Sequence, residues 1–188
     1  MKRIKVAING FGRIGRVFTR CLINSNNKQI EIVAINDLVD APTLAHLLKY
    51  DSVHGVLNNT ISSTSNSIII DGKEILVLNE RDPENLPWSD NEIDVVVEST
   101  GFFRDKLGAE KHITAGAKKV IISAPSVDSN VKTVVLGVND GVLDGSETVL
   151  SNASCTTNCA APMIKIINDN FRIKSGYITT THAYTGDQ

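Results

Sequence analysis

Short apolar runs alternate along this chain with amphipathic stretches. Apolar runs bounded by turn residues predict buried strands, and a period of about 3.6 residues predicts helices. The predicted strands cover residues 5–9, 30–36, 94–98, 119–123, 132–137 and 148–152. The predicted helices cover residues 13–23, 41–49, 105–115 and a stretch beginning at Cys155. This alternation indicates an α/β protein, with a doubly wound, mostly parallel sheet and helices on both faces.

Local sequence chemistry adds four features to this pattern. Asp71-Gly72 suits the two-residue type I′ turn of a β-hairpin over residues 68–77. The Ser/Asn-rich residues 58–67 are either a polar loop or an edge strand. A β-branched run over residues 177–185 predicts a strand with His182 and Tyr184 on one face. Pro162 predicts a kink in the helix that begins at Cys155, or a later helix start.

The composition is that of an ordinary soluble domain. The chain has 188 residues, of which 41% are hydrophobic and 21% charged, and its net charge of −2 favours neither nucleic acid nor membranes. No stretch approaches the ~20 apolar residues of a membrane span, and the first residues have no signal-peptide pattern. Three cysteines, an odd number, indicate free thiols in a reducing compartment. We therefore expect a cytoplasmic protein.

A glycine-rich turn lies between the first predicted strand and helix. Gly10, Gly12 and Gly15 have the G-x-G-x-x-G spacing, which permits a tight turn, backbone approach to a pyrophosphate and close helix packing. The N–H groups of Arg13 and Ile14 would face that pyrophosphate at the positive end of the helix. The turn predicts a dinucleotide site, although a glycine-rich turn without a ligand has the same spacing.

Asp37 closes the second predicted strand, roughly 20 residues after the last glycine, where a dinucleotide fold places an acid. Its carboxylate would accept hydrogen bonds from the adenosine ribose and repel a 2′-phosphate, which favours NAD over NADP. The alternative is that Asp37 only caps the following segment.

Cys155 is the candidate nucleophile. A thiol needs a lowered pKa to react at neutral pH, and helix-terminal amides and a nearby imidazole such as His182 can provide it. A histidine on a strand can equally be structural. Four residues from Cys155, Cys159 is expected to be a packed, buried thiol, as is Cys21. A metal site would need more ligands than these, so we expect none.

The other three histidines do not cluster with the cysteine motif. His46 and His112 lie in helical patterns and His54 lies in a turn, so all three are expected at the surface. A cysteine hydrolase using Cys155 and His182 is an alternative reading, and it predicts no dinucleotide binding.

Three segments together resemble phosphorylating glyceraldehyde-3-phosphate dehydrogenases. They are Asn-Gly-Phe-Gly-Arg-Ile-Gly-Arg at residues 9–16, Ser-Asn-Ala-Ser-Cys-Thr-Thr-Asn-Cys at 151–159 and Thr-His-Ala-Tyr-Thr-Gly-Asp-Gln at 181–188. The resemblance implies that Cys155 is the nucleophile and His182 its general base. It implies cofactor contacts, besides the glycine turn and Asp37, by Arg81, Thr100 and Ser123. It assigns the attacking phosphate to Ser154 and Thr156, and the substrate phosphate to Thr185.

The implied reaction is the NAD-dependent oxidation of glyceraldehyde 3-phosphate to 1,3-bisphosphoglycerate in glycolysis or gluconeogenesis. Its partners are that aldehyde, NAD and inorganic phosphate, and the family suggests a homotetramer. The implied domains are an NAD-binding Rossmann domain over residues 1–152 and the beginning of a catalytic α+β domain over residues 153–188.

The sequence also departs from the family pattern. Thr181 and Gly186 replace residues that are usual around the histidine, and residues 103–106 differ from the usual small hydroxyl residues. The chain ends at Gln188, so we expect most of the catalytic domain to be missing. Two alternatives therefore stand beside the main reading: an NAD-binding module without turnover, and an erythrose-4-phosphate dehydrogenase.

Overall fold

A computed structural model describes residues 3–25 and 27–183, and a nine-stranded sheet organises them. The strand order across the sheet is β10-β11-β9-β8-β1-β2-β7-β6-β5. These strands are β1 (Ile4–Asn9), β2 (Ile30–Asn36), β5 (Ile61–Ser63), β6 (Ser67–Ile70), β7 (Lys73–Leu78), β8 (Val95–Glu98), β9 (Lys119–Ile122), β10 (Lys132–Thr133) and β11 (Val149–Ser151). A separate short ribbon pairs β3 (Tyr50–Asp51) with β4 (Gly55–Val56).

The central strands are parallel, as the alternation of strands and helices predicts. β1 pairs in parallel with β2 on one side and with β8 on the other. At one edge of this sheet the pairing is antiparallel, where β7 pairs with β6 and β6 pairs with β5. The predicted doubly wound α/β fold is therefore confirmed.

Side chains alternate between two cores, one on each face of the sheet. In β1, Val6 and Ile8 pack into one core, while Ala7 between them packs into the other. The first core is closed by apolar residues of α2 such as Leu44 and Leu48, and the second contains the fully buried Trp88. Burial on both faces explains why these strands are continuous apolar runs.

Four helices cover the sheet or follow it: α1 (Arg13–Asn24), α2 (Ala41–Lys49), α3 (Lys106–Thr114) and α4 (Cys155–Phe171). Their bounds agree closely with the predictions. The hairpin between β6 and β7 is also confirmed, because Asp71 and Gly72 both have positive φ, at 49° and 80°, as a type I′ turn requires. Residues 58–67 contain the edge strand β5, one of the two predicted alternatives. In the part of the chain that the structure describes, no helix is both long and apolar enough to span a bilayer.

Several sequence predictions are wrong. The strand expected over residues 132–137 stops at Thr133, because residues 134–135 are irregular and residues 136–139 form a turn. The strand expected over residues 177–185 is absent from 177–183, which are exposed and irregular, while 184–185 lie outside the described residues. β-branched residues favour a strand only where another strand pairs with them. The late helix start at Pro162 is also wrong, since α4 begins at Cys155.

Candidate active site

A cleft of about 550 Å³ opens at the carboxyl ends of the central strands. This is where doubly wound sheets bind their ligands, in the crevice between strands that cross over in opposite directions. Five of the predicted cofactor residues line it together: Gly10, Gly12, Asp37, Arg81 and Thr100. Their contacts with a cofactor remain a prediction, but their convergence on one cleft is a property of the fold.

At two positions of the turn, only glycine fits, because a Cβ would clash with neighbouring backbone atoms. Gly10 has φ of +89°, and a Cβ there would lie 2.7 Å from the backbone nitrogen of Thr100. A Cβ on Gly15 would lie 2.5 Å from the carbonyl oxygen of Gly10. The turn therefore packs against both the loop after β8 and the first turn of α1, leaving no room for side chains.

The N-terminus of α1 differs from those of the other helices. Asp40, Asp105 and Ser154 cap α2, α3 and α4 through their side chains, whereas no side chain caps α1 at Gly12. Uncapped amides at the positive end of a helix fit a pyrophosphate. Arg13 and Ile14 lie in this first turn, just beyond the cleft lining.

The carboxylate of Asp37 is held by two backbone amides. Phe11 N–H donates to Oδ2 at 2.7 Å and Val39 N–H donates to Oδ1 at 3.0 Å. Each oxygen retains a lone pair for a further donor. Through Val39, Asp37 also caps the short segment after β2, whereas α2 itself is capped by Asp40, which accepts from Thr43 N–H.

Ser123 is separated from the other predicted cofactor residues. It follows β9, and its N–H donates to the carbonyl oxygen of Glu98 at 2.9 Å, which joins the ends of β8 and β9. Its side chain is not among the residues that line the cleft.

The sequence reasoning missed a buried polar network beneath the cleft. Asn9, Asn36 and Glu98 each end a central strand, and all three are at most 5% exposed. His112, expected at the surface, is completely buried and bonds to Glu98 at 3.0 Å. A signal was present, since a polar residue that ends an apolar strand at the ligand edge is unusual enough to be a site candidate.

α4 places Cys155 at its first position. Ser154 caps the helix by accepting a hydrogen bond from Thr157 N–H at 2.9 Å. The chain enters this cap through Ala153, a buried residue with a left-handed φ of 57°. Because α4 follows β11, Cys155 lies at the same edge of the parallel sheet as the cofactor cleft.

Cys155 and His182 are in direct contact. The thiol Sγ lies 3.3 Å from Nε2 of the imidazole. Nδ1 of His182 lies 2.7 Å from the carbonyl oxygen of Ala183. A carbonyl only accepts, so Nδ1 carries a proton and Nε2 is directed to the sulfur.

This contact favours a charged pair. The hydrogen bond with His182 lowers the pKa of the Cys155 thiol below its usual value, and the hydroxyl and N–H of Thr156 act in the same direction. The pKa of His182 is raised, first by its bond to Ala183 and then by Cys155. The two pKa shifts are opposite in direction, as expected when a proton moves from sulfur to imidazole.

The remaining residues of the cysteine motif are placed unequally. Ser154 and Thr156 flank Cys155 in the first turn of α4, and Thr185 lies outside the described residues. Cys159 and Cys21 were expected to be buried, but both are exposed free thiols. Cys159 lies on α4, where no residue is buried, and Cys21 lies on the outer face of α1, away from the inward Gly15 and Thr19.

The fold and the site define a class: a doubly wound dinucleotide-binding protein with a cysteine–histidine pair at the ligand edge of its sheet. Comparison with known families agrees. Residues 4–106 match the family described as "Glyceraldehyde 3-phosphate dehydrogenase, NAD binding domain", and residues 154–188 match its "C-terminal domain". The chain belongs to the glyceraldehyde-3-phosphate dehydrogenase family, and it carries that family's NAD-binding domain.

Individual relatives lead to the same family. The chain is 58% identical over 185 residues to glyceraldehyde-3-phosphate dehydrogenase 1 of Bacillus cereus, covering 98% of this chain and 54% of that protein. It is 53% identical to the glyceraldehyde-3-phosphate dehydrogenase of Mycoplasma pneumoniae, and the match covers 100% of this chain and 55% of that protein. It is 54% identical to the glyceraldehyde-3-phosphate dehydrogenase of Thermotoga maritima, and the match covers 98% of this chain and 55% of that protein. The chain thus spans about half the length of the curated relatives it matches.

Proposed function

We propose that the protein carrying this chain oxidises glyceraldehyde 3-phosphate to 1,3-bisphosphoglycerate, with NAD and inorganic phosphate, as a step of glycolysis or gluconeogenesis. The observation that carries the proposal is the 3.3 Å contact between Cys155 Sγ and His182 Nε2 at the first turn of α4. A thiolate in this position is a nucleophile at neutral pH. The names of the relatives supply the aldehyde.

Cys155 begins the chemistry. Its thiolate adds to the aldehyde carbon, and the His182 imidazolium gives its proton to the new oxyanion, which forms a hemithioacetal. The neutral His182 then takes that hydroxyl proton back as the carbon is oxidised. NAD, when bound in the cleft, supplies the acceptor for the hydride. The resulting thioester on Cys155 retains much of the free energy of oxidation. Attack by phosphate then transfers the acyl group and returns the thiolate.

The roles proposed for the neighbouring residues follow from position. Gly10, Gly12, Arg13, Ile14, Asp37, Arg81, Thr100 and Ser123 would hold the cofactor, and five of these line the cleft. Ser154 and Thr156 flank the nucleophile and would bind the attacking phosphate. Thr185 would bind the substrate phosphate. We place the boundary between the NAD-binding and catalytic domains after residue 152, where β11 has ended and the cap of α4 begins.

We also propose a cytoplasmic homotetramer. The three free cysteines of the described chain suit a reducing compartment. The tetramer rests on the family alone.

A second candidate function applies to the 188-residue chain by itself: NAD binding without turnover. α4 has no buried residue, and Met163, Ile166 and Phe171 on it are 54%, 63% and 80% exposed. His182 likewise lies on an exposed irregular segment. The cofactor cleft, by contrast, is built from buried central strands.

One experiment separates these functions. Two proteins would be compared: the purified 188-residue chain, and this chain extended to the full length of its relatives. Each would be mixed with NAD, phosphate and glyceraldehyde 3-phosphate while the absorbance of NADH is followed. NADH formation that Cys155→Ser abolishes supports the main proposal, and its absence at the longer length contradicts it. Calorimetry with NAD tests the binding function of the short chain. Replacing the aldehyde with erythrose 4-phosphate tests the related dehydrogenase.

A further inference from the structure

The buried polar network lies beneath the cofactor cleft, and the proposed chemistry uses none of its side chains. Asn9 ends β1, Asn36 ends β2 and Glu98 ends β8, with exposed fractions of 1%, 5% and 2%. His112 on α3 and Trp88 complete the network, and both are 0% exposed. Burying this many polar groups is costly unless each has a partner, so their arrangement is informative.

At one end of the network, the directions of the hydrogen bonds are fixed by the backbone. Glu80 N–H donates to Oδ1 of Asn36 at 2.8 Å, and Asn36 Nδ2 donates to the carbonyl oxygen of Glu80 at 2.8 Å. Because a backbone cannot exchange its donor and acceptor, the Asn36 amide has one orientation. Its Nδ2 therefore also donates to Asn9 Oδ1, at 2.7 Å. Asn9 is left with its own amide N–H directed to Glu98 Oε2, at 2.6 Å.

The second end is equally fixed. The indole of Trp88 is a donor only, and it donates to Nδ1 of His112 at 2.9 Å. This assigns the imidazole proton to Nε2. Nε2 lies 3.0 Å from Glu98 Oε2 and donates to it. Two donors whose directions are imposed from elsewhere thus converge on one carboxylate oxygen.

The other oxygen of Glu98 is bound by Thr100, which lines the cofactor cleft. Thr100 N–H donates to Oε1 at 2.8 Å, and the hydroxyl of Thr100 donates to the same oxygen. Glu98 therefore accepts from four donors, which only a carboxylate can do. A carboxamide of the same shape would set its own N–H₂ against fixed donors. Since its proton is used, the Thr100 hydroxyl presents only an acceptor to a ligand.

Thr100 in turn shapes the glycine-rich turn. Its backbone nitrogen lies 2.7 Å from the position that a Cβ on Gly10 would take. The preceding Ser99 hydroxyl donates to the carbonyl oxygen of Gly10 at 2.7 Å. The loop after β8 and the turn after β1 are thus packed together, and both line the cleft.

We propose that Glu98 is a positioning residue for the cofactor cleft. His112 and Trp88 orient its carboxylate, and the carboxylate holds Thr100 against the glycine-rich turn, so that the cleft has its binding shape before the dinucleotide enters. The inference rests on the proposed function only in taking NAD as the ligand. A preorganised site binds more tightly because it orders less on binding.

The test compares isosteric and disruptive variants of the 188-residue chain. Glu98→Gln is expected to raise the Kd for NAD by roughly tenfold or more, since one buried donor pair is left unsatisfied. His112→Leu is expected to raise it as well. His112→Gln is expected to restore nearly normal binding, because its carbonyl can accept from Trp88 while its amide donates to Glu98. Calorimetry is done at a temperature where circular dichroism shows each variant folded.

A spectroscopic signature accompanies the affinities. Trp88 is the one tryptophan in the sequence, so its indole N–H gives a single assigned resonance in ¹⁵N-labelled chain. We expect the resonance to move on Glu98→Gln and His112→Leu, and to stay near its place in His112→Gln. NAD binding should shift it in the unsubstituted chain through His112 and Glu98.

The outcomes are distinct. An unchanged Kd in Glu98→Gln overturns the proposal, even if the melting temperature falls, because the role would then be structural only. If the unsubstituted chain binds no NAD, the proposed cofactor function fails, and amide exchange at Thr100 still tests the network. Faster exchange in Glu98→Gln supports the proposal, and unchanged exchange overturns it.

Discussion

The backbone N–H of Phe11 donates to the carboxylate of Asp37, at 2.7 Å. The acid that directly follows the second strand is thereby tied to the glycine-rich turn that follows the first. One side chain thus positions the turn and remains available to a ribose. Two properties that look independent in the sequence are physically coupled.

Asp37→Asn separates these two properties. The Asn carbonyl can still accept from Phe11, but the negative charge and one acceptor are lost. We expect NAD affinity to fall by about tenfold, the value of one hydrogen bond to a charged group, and NADP to improve relative to NAD. Calorimetry with both nucleotides measures this. Asp40→Ala is the control: it removes the cap of α2, costs about 1 kcal/mol of stability and leaves NAD binding unchanged. Equal losses for both nucleotides would contradict the role of the charge.

Gly10→Ala tests the packing of the turn. The substitution combines a positive φ with a Cβ only 2.7 Å from Thr100 N. We expect it to cost about 2–4 kcal/mol of unfolding free energy and to abolish NAD binding. Gly72→Ala is a matched control, since it has φ of +80° with no atom within 4 Å, and it should cost about 1 kcal/mol. If urea titrations give the same loss of unfolding free energy for Gly10→Ala and Gly72→Ala, backbone strain alone accounts for the loss and the contact with Thr100 does not contribute.

His182→Ala tests the activation of Cys155. His182 lowers the pKa of the thiol, so in its absence the thiolate forms only at higher pH. We expect the pH midpoint of alkylation by iodoacetamide to move upward. The experiment uses a Cys21→Ser, Cys159→Ser background, because both other thiols are exposed. A midpoint that stays in place would assign the activation to the helix terminus and Thr156.

Arg20 offers a test of stability away from the site. Arg20 is 5% exposed, and its guanidinium donates to three backbone carbonyls, those of Leu48, Lys49 and Gly55. Arg20→Met would remove the guanidinium donors from these carbonyls, of which that of Lys49 would keep the N–H of Leu57 at 2.9 Å. We expect a loss of about 2–4 kcal/mol in urea unfolding. Arg3→Met removes a half-exposed ion pair with Glu31 and should change stability by at most about 0.5 kcal/mol.

The loop that contains Asp144 and Glu147 predicts acid sensitivity. Hydrogen bonds, above all with Ser146 for Asp144 and with Lys132 for Glu147, lower the pKa of each carboxyl to about 2. Folded-state pKa values below the unfolded ones stabilise the protein above about pH 4, and this contribution is lost as the pH falls toward 2. Glu147→Gln should therefore flatten the decline of the urea midpoint between about pH 5 and 2. In a Lys132→Met background the same substitution should have less effect.

The sequence predicted the elements that depend on local chemistry. α1, α2 and the hairpin at Asp71-Gly72 were found because caps, glycine positions and apolar periods act over a few residues. The cofactor cleft followed from the same signals, since Gly10, Gly12 and Asp37 each end or follow a strand. These features need no knowledge of distant partners.

The errors concern residues whose environment is set by distant parts of the chain. The helical pattern around His112 gives no sign that Trp88 and Glu98 will surround it. Cys21 and the run after Tyr177 have apolar or β-branched character, but no described element covers the first or pairs with the second. Burial and pairing are properties of two partners, and a pattern in one partner does not determine them.

The position of β1 at the centre of the sheet has a consequence during synthesis. β1 pairs with β8 through Val6 and Val95, so a ribosome must add almost ninety residues before the central strand has both neighbours. At about 5–20 residues per second this takes roughly 5–20 s. Throughout that interval an apolar strand has at least one open edge. The growing chain is therefore a natural client for a chaperone at the exit tunnel until β8 emerges.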